Sequence, residues 1–214
     1  MFYLAKTPKW LIKLSGGSLW ELPDTEKNIY LTFDDGPHPA ITPFVLGELD
    51  KYGAKASFFC IGRNVADNPS IYADILKRGH AVGNHTHNHL NGWKTDAGLY
   101  LANIQKAGEY IRSDLFRPPY GRITKKQHRA LTRLADPFRV IMWSVLSGDF
   151  DTDLSPETCC ENVIRNARAG SIVVFHDSEK AYDRMRYALP LVLKHFHERG
   201  FSFKKIDEKA LPNR

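Results

Sequence analysis

The chain is poor in the features that would place it in several large classes. It has three cysteines in 214 residues, and two of them, Cys159 and Cys160, are neighbours, which rarely bridge each other. There is no disulfide framework and no CxxC pair, so a disulfide-stapled scaffold and a zinc ribbon are both excluded and reduced thiols are expected. No apolar run approaches the length needed to span a bilayer. The most apolar N-terminal stretch, Trp10-Leu11-Ile12-Lys13-Leu14, is short and broken by a lysine, unlike a secretory h-region. No dense Lys/Arg run with interleaved aromatics marks a nucleic-acid groove. Internal repeats, low-complexity segments, a GxGxxG fingerprint and a composition shift that would mark a linker are absent too.

What remains is an ordinary globular composition, 43% apolar and 25% charged, with a net charge of +6. That length and balance support one sizeable core. Residues 29–214 are expected to form one domain, with residues 1–28 as an N-terminal segment packing on it. The excess of positive charge reads as a lysine-rich soluble surface, or more sharply as attraction to an anionic polymer. The missing leader and the reduced thiols predict a cytoplasmic protein. Attachment to a membrane surface through residues 8–15, or export by another route, is the alternative. No oligomeric state is indicated.

Short β-rich apolar runs recur at 29–33, 56–61, 80–83, 115–117, 139–143, 171–175 and 201–205. Most are separated by stretches of helical period at 42–52, 69–78, 100–113, 125–135, 155–169 and 187–199. Gly53, Gly79, Gly170 and Gly200 read as helix stops, and Ser155-Pro156 as a helix start. This alternation predicts an α/β protein with a parallel sheet, and without a dinucleotide fingerprint it leans towards an imperfect TIM-like barrel. In such a barrel the chemistry sits at the C-terminal ends of the strands.

Ionisable residues gather there. Asp34 and Asp35 follow the first strand, His85, His87 and His89 the third, Asp149 the fifth, and His176-Asp177 the sixth. His85 and His89 are four apart, so a helical turn would put both imidazoles on one side. With one carboxylate they make a two-His, one-carboxylate metal site with open positions. Asp-Gly is a common turn and an isolated HxxxH is unspecific; it is their joint occurrence at strand ends that points to a metal. His87 is expected to face elsewhere. The second aspartate would then serve as general base towards a metal-activated water.

At this point the residues resemble a known family. Thr32-Phe33-Asp34-Asp35-Gly36-Pro37 is similar to the TFDDGP motif of the polysaccharide deacetylases, the NodB-homology domain of carbohydrate esterase family four. His85-Thr86-His87-Asn88-His89 resembles its H[ST]xxH motif, Arg117-Pro118-Pro119-Tyr120-Gly121 its RxPYG segment, and Phe175-His176-Asp177 its late LxHD motif. The resemblance runs from about Ile29 to Ile206. It implies a distorted (β/α)7 barrel as catalytic domain and metal-dependent removal of acetyl groups, mainly N-acetyl, from an acetylated glycan. By motif position Asp35, His85 and His89 would bind one divalent metal, zinc before cobalt or nickel. Asp34 would be the base, His176 the acid, Arg117 the partner of Asp34 and Asp149 that of His176. The Tyr120 backbone N–H would face the oxyanion. Pro119, Trp143, Phe150 and Val174 are expected around the substrate, Trp143 more as barrel core than as sugar platform.

The chain departs from the family pattern in its fourth motif. Leu146 stands where a carboxylate is common, Phe150 replaces an indole, and Val174 replaces a leucine. These changes bear on substrate preference. Two other readings therefore stand beside deacetylation: hydrolysis of another C–N bond, such as a small cyclic amide or a formamide, and a catalytically silent glycan-binding relative.

Overall fold

The computed structural model describes residues 4–14, 16–23, 26–207 and 210–211. Its elements are α1 Lys9–Leu14, β1 Asn28–Asp34, α2 Ile41–Asp50, β2 Ser57–Cys60, α3 Gly62–Asp67, α4 Pro69–Lys77, β3 Ala81–Asn84 and α5 Ala97–Gly108. They continue with β4 Leu115–Phe116, α6 Lys125–Leu131, β5 Arg139–Val140, β6 Val145–Leu146, α7 Pro156–Asn166, β7 Ile172–His176, α8 Tyr182–His197 and β8 Ser202–Phe203. Strand order across the sheet is β5-β4-β3-β2-β1-β7-β6, and every pairing is parallel. β8 joins β1 at Asn28 and Ile29, ahead of the point where β2 begins to pair.

β1 is central and buried along its whole length. Alternate residues therefore serve two different interiors. Ile29, Leu31 and Phe33 pack outward against helices α2, α7 and α8, where Phe33 stacks between Phe58 and Phe175. Tyr30 faces the barrel interior with Phe59, Leu115, Ile141 and Ile172. By the same alternation Thr32 and Asp34 point inward, which puts a carboxylate at the top of a closed apolar stack.

The curved sheet is open between β5 and β6, and residues ahead of β1 run along both edges. Leu19 exchanges hydrogen bonds with Val140 and Met142, while Ala5 and Thr7 pair with Leu146 and Ser144. The expected strand 139–143 is thus shorter. Only Arg139 and Val140 belong to the sheet, because Met142 is engaged by Leu19. β6 is two residues long, too short to show a period, and was not expected. The helix expected at 100–113 instead spans Ala97–Gly108, because Asp96 caps it by accepting from the Gly98 and Leu99 N–H groups. The helix expected from residue 187 begins at Tyr182, and that expected to reach 135 ends at Leu131. Ser155 caps α7 with Pro156 in its first turn, as its sequence indicates. The three cysteines are free and buried, and among the described residues no helix is long and apolar enough to cross a membrane.

Candidate active site

The two adjacent aspartates diverge because the chain leaves the strand between them. Asp34 ends β1 in the inward-facing series, and Asp35 adopts φ 81°, in the left-handed region. Its carboxylate is thereby carried over the barrel mouth. Five described non-glycine residues have positive φ, and four of them are Asp35, Thr86, His89 and Tyr120. Such conformations cost energy for residues with a Cβ and gather where surrounding structure imposes them for function.

Asp35, His85 and His89 present one ligand atom each, all within 4.8 Å of one another. Asp35 Oδ1 lies 3.2 Å from His89 Nε2 and 3.7 Å from His85 Nε2. It is buried and makes no hydrogen bond of acceptable geometry. His85 Nδ1 donates to the Arg117 carbonyl at 2.8 Å, so in the neutral ring Nε2 carries the lone pair. A lone pair and an unpaired carboxylate oxygen facing each other call for a cation between them. Burial pushes the His85 imidazole down to about 4, which keeps it neutral, as a metal ligand must be. Burial opposes ionisation of Asp35, yet His89, His176 and His85 together hold its carboxyl well below the usual range. The residues present fit a divalent metal.

The expected convergence of His85 and His89 on a helical turn needs correction. Residues 85–91 form no helix. Left-handed turns at Thr86 and His89 bring the rings to a 5.1 Å centroid separation instead. The turn is held by the Thr86 N–H donating to Asn84 Oδ1 and by Asn103 Oδ1 accepting from the N–H groups of His87 and Asn88. His87 faces away, as expected, but is buried and stacked on Tyr110.

Two charged pairs flank the triangle. Arg117 is completely buried; its Nη1 donates to Asp34 Oδ1 and to Thr32 Oγ1, both at 2.7 Å. Its Nε and Nη2 donate to the carbonyls of Ile141 and Met142, and its guanidinium lies 4.0 Å above the Phe59 ring. This fork fixes the Asp34 side chain from below. On the neighbouring strand His176 Nδ1 donates to Asp149 Oδ1 at 2.7 Å, and the His176 N–H donates to Asp149 Oδ2 at 2.7 Å. Burial disfavours the imidazolium, but the Asp149 carboxylate overrides it and His176 is pushed up to about 10. Asp34 and His176 are register partners on β1 and β7. Asp34 and a protonated His176 thus stand on adjacent strands beside a place for a cation.

Around these, Tyr120 places its hydroxyl 3.1 Å from His89 Nδ1. Phe150 sits edge-on to His176 at 5.4 Å. Val174 is two residues before His176, on the same face of β7, beneath it, and Leu146 is its register partner. Pro119 is buried beside Tyr120, and Trp143 is half-buried between Trp20 and Arg117. Sequence reasoning gave no role to Thr32, which passes the Arg117 fork on to the Val173 carbonyl, or to Asp177. The buried Asp177 carboxyl, pushed up to about 7 by burial, accepts from the Gly36 N–H and from Thr42 Oγ1. A Cβ on Gly36 would lie 2.0 Å from Asp177 Oδ2, so only glycine admits this clasp on the aspartate turn. The signal was present in the sequence, as Asp177 directly follows the histidine.

The sequence profile of the polysaccharide deacetylases matches residues 21–135, more than half of the chain. The chain belongs to the polysaccharide deacetylase family. Over 200 residues it is 33% identical to a peptidoglycan-N-acetylglucosamine deacetylase of Bacillus cereus, across 91% of this chain and 93% of that protein. A chitooligosaccharide deacetylase of Azorhizobium caulinodans shares 36% identity over 169 residues, 75% of this chain and 79% of that one. The crystal structure of the Bc1960 peptidoglycan N-acetylglucosamine deacetylase with 4-naphthalen-1-yl-N-oxidanyl-benzamide matches with a TM-score of 0.84 at 30% identity, covering 94% of this chain and 95% of that one. The expected barrel is the fold of this deacetylase, and its activity is that of a metal-dependent hydrolase releasing acetyl groups from acetylated carbohydrate. The Asp35–His85–His89 triangle could hold a metal ion.

Proposed function

We propose that this deacetylase removes the N-acetyl group from glucosamine residues of peptidoglycan, with zinc held by Asp35, His85 and His89. The observation that carries the reading is the register pairing of Asp34 with His176, each locked to a buried counter-ion, beside the open Asp35 oxygen. The peptidoglycan substrate is favoured by the extent of the match, 91% of the chain to the Bacillus relative against 75% to the Azorhizobium one.

A divalent cation in the triangle supplies Lewis-acid polarisation of the acetyl carbonyl and of the attacking water. Asp34 accepts a proton from the attacking water, and Arg117 keeps its carboxylate aimed. Attack on the acetyl carbon places negative charge on the carbonyl oxygen, towards which the Tyr120 N–H donates; one such donor contributes about 3–4 kcal/mol. His176, held as imidazolium by Asp149, delivers its proton to the sugar nitrogen as the C–N bond breaks. Acetate and a free glucosamine amine result. Phe150 and Val174 border the acetyl group, and the missing carboxylate at Leu146 leaves a drier wall there.

Acetate release tests this. Metal-loaded protein is offered peptidoglycan fragments, chito-oligosaccharides and acetylated xylan, with a chelated sample and Asp34→Asn alongside. Asp34→Asn should retain metal and lose ~10²–10⁴ in rate. Preference for chito-oligosaccharides over peptidoglycan would transfer the substrate to the second relative's class, and near-normal turnover by Asp34→Asn would remove the base.

A further inference from the structure

A hollow of about 610 Å³ opens next to the site, beginning at Gly121, the residue after Tyr120. Trp93, Arg122, Lys125, His128 and Arg129 line it, and among the described residues no aspartate or glutamate does. Among the described residues Arg122, Lys125 and Arg129 have no ion-pair partner. Lys125, His128 and Arg129 lie at i, i+3 and i+4 of α6, so they form one face. Three cations in a concave surface without a counter-ion hold a standing positive potential.

The hollow is also rigid. The Arg122 guanidinium lies 4.0 Å above the ring of Trp93. Trp93 is 60% exposed, yet its Nε1 donates to the Ile123 carbonyl and its backbone N–H donates to Asn91 Oδ1. A Cβ on Gly92 would lie 2.4 Å from the Arg122 carbonyl oxygen, so the two loops touch backbone to backbone. Gln127 fastens them by donating to the Gly92 carbonyl while its Oε1 accepts from the Thr124 N–H. One loop continues from the ligand His89 and the other from Tyr120. The cationic hollow is thus tied to the His89 corner of the metal triangle, which Tyr120 also touches. An arginine already stacked on an indole loses little freedom when its fork meets a carboxylate.

We propose that this hollow is a subsite for a carboxylate-bearing part of the glycan strand, with Arg122 as its anchor, Trp93 as the platform that positions Arg122, and Lys125 and Arg129 as flanking charges. The inference rests on the peptidoglycan reading, since chitin-type glycans carry no carboxylate. In peptidoglycan that group is either the lactyl carboxylate of a muramic acid without its stem or a carboxylate of the peptide stem, and the same fork would hold both.

The test uses the metal-loaded full chain and three glycans of equal length: neutral N-acetylchitotetraose, the glucosamine–muramic acid tetrasaccharide without stems, and the same tetrasaccharide with stems. KM for a carboxylate-bearing glycan should be about tenfold below that for the neutral one at low salt, a difference of about 1.4 kcal/mol. The gap should narrow as salt rises. Selectivity already present without stems assigns the lactyl group; selectivity only with stems assigns the peptide. Arg122→Ala should raise KM for the carboxylate substrate about tenfold with little change in kcat and no comparable rise for the neutral glycan. Arg122→Lys should fall between. Equal KM values across the three glycans, or an Arg122→Ala effect equal on all of them, overturns the subsite. Binding to Asp34→Asn, followed by tryptophan fluorescence, separates the two readings. Carboxylate-selective binding without acetate release from any glycan would remove the activity and keep the subsite; release without selectivity would do the reverse.

Discussion

Strand β3 has a buried histidine at each end, and the two rings are prepared for opposite tasks. His80 precedes the strand at the bottom of the barrel; His85 follows it at the top. Burial pushes both imidazoles down to about 4. Their backbone partners differ. At His80 the Ala56 N–H donates to Nδ1 at 3.1 Å, which forces the proton onto Nε2, an atom buried without a partner. At His85 Nδ1 donates to the Arg117 carbonyl at 2.8 Å, which leaves Nε2 as a bare lone pair aimed at Asp35. Equal burial and equal basicity therefore do not make equal sites. Whether the second-neighbour backbone group is an amide or a carbonyl decides which nitrogen is free to bind a metal.

The largest effect should come from breaking the top end. His85→Gln should weaken metal binding by at least about 10²-fold, read by competition with a chelator, and abolish acetate release with it. His80→Gln should leave metal affinity unchanged. If both variants bound metal as the parent does, the tautomer argument would fail. Next comes Arg117→Met, which leaves the Asp34 carboxylate buried and unpaired. It should lose ~3–5 kcal/mol in urea unfolding. An unchanged unfolding midpoint would show that Asp34 has another partner.

The bottom end should appear in acid. The folded His80 titrates near 4, below its ordinary value of 6.5, so the folded state resists the proton. Its contribution is whole above pH 6.5 and is lost as pH falls through about 4, up to ~3 kcal/mol by linkage. His80→Gln should flatten that part of the stability–pH curve, and an identical curve would refute the assignment. The smallest effect sharpens the top. In Asp149→Asn the imidazolium of His176 loses its counter-ion, so its pKa falls from about 10. An acid must be protonated to act, so the alkaline limb of the pH–rate profile should move to lower pH. A limb that stays in place would assign it to another group.

Much of the top end was legible. TFDDGP, HTHNH and FHD each place an ionisable residue at the end of an apolar run, and strand alternation then puts them on one rim. The tightening of the site was not. Asp34 and Arg117 are 83 positions apart and Asp177 and Thr42 135 apart, and no local period announces such pairs. The helical turn expected between His85 and His89 was wrong because spacing records separation along the chain but not the left-handed turns at Thr86 and His89. β6 was missed since two residues cannot display an alternation. Leu19, Ala5 and Thr7 took up sheet-edge hydrogen bonds that no pattern in 1–28 foretells.

By itself the sequence determined most of the elements, the parallel barrel and the identity of the residues at its mouth, because periodicity, turn chemistry and motif spacing are local properties of a chain. Only the tertiary structure decided which nitrogen of each histidine is bare, which aspartate points inward to Arg117 and which turns towards His85 and His89, and that Arg122 is clamped on Trp93. Those are outcomes of non-local contacts, in which burial, a backbone carbonyl or amide, and a charge brought from another strand act on the same atom.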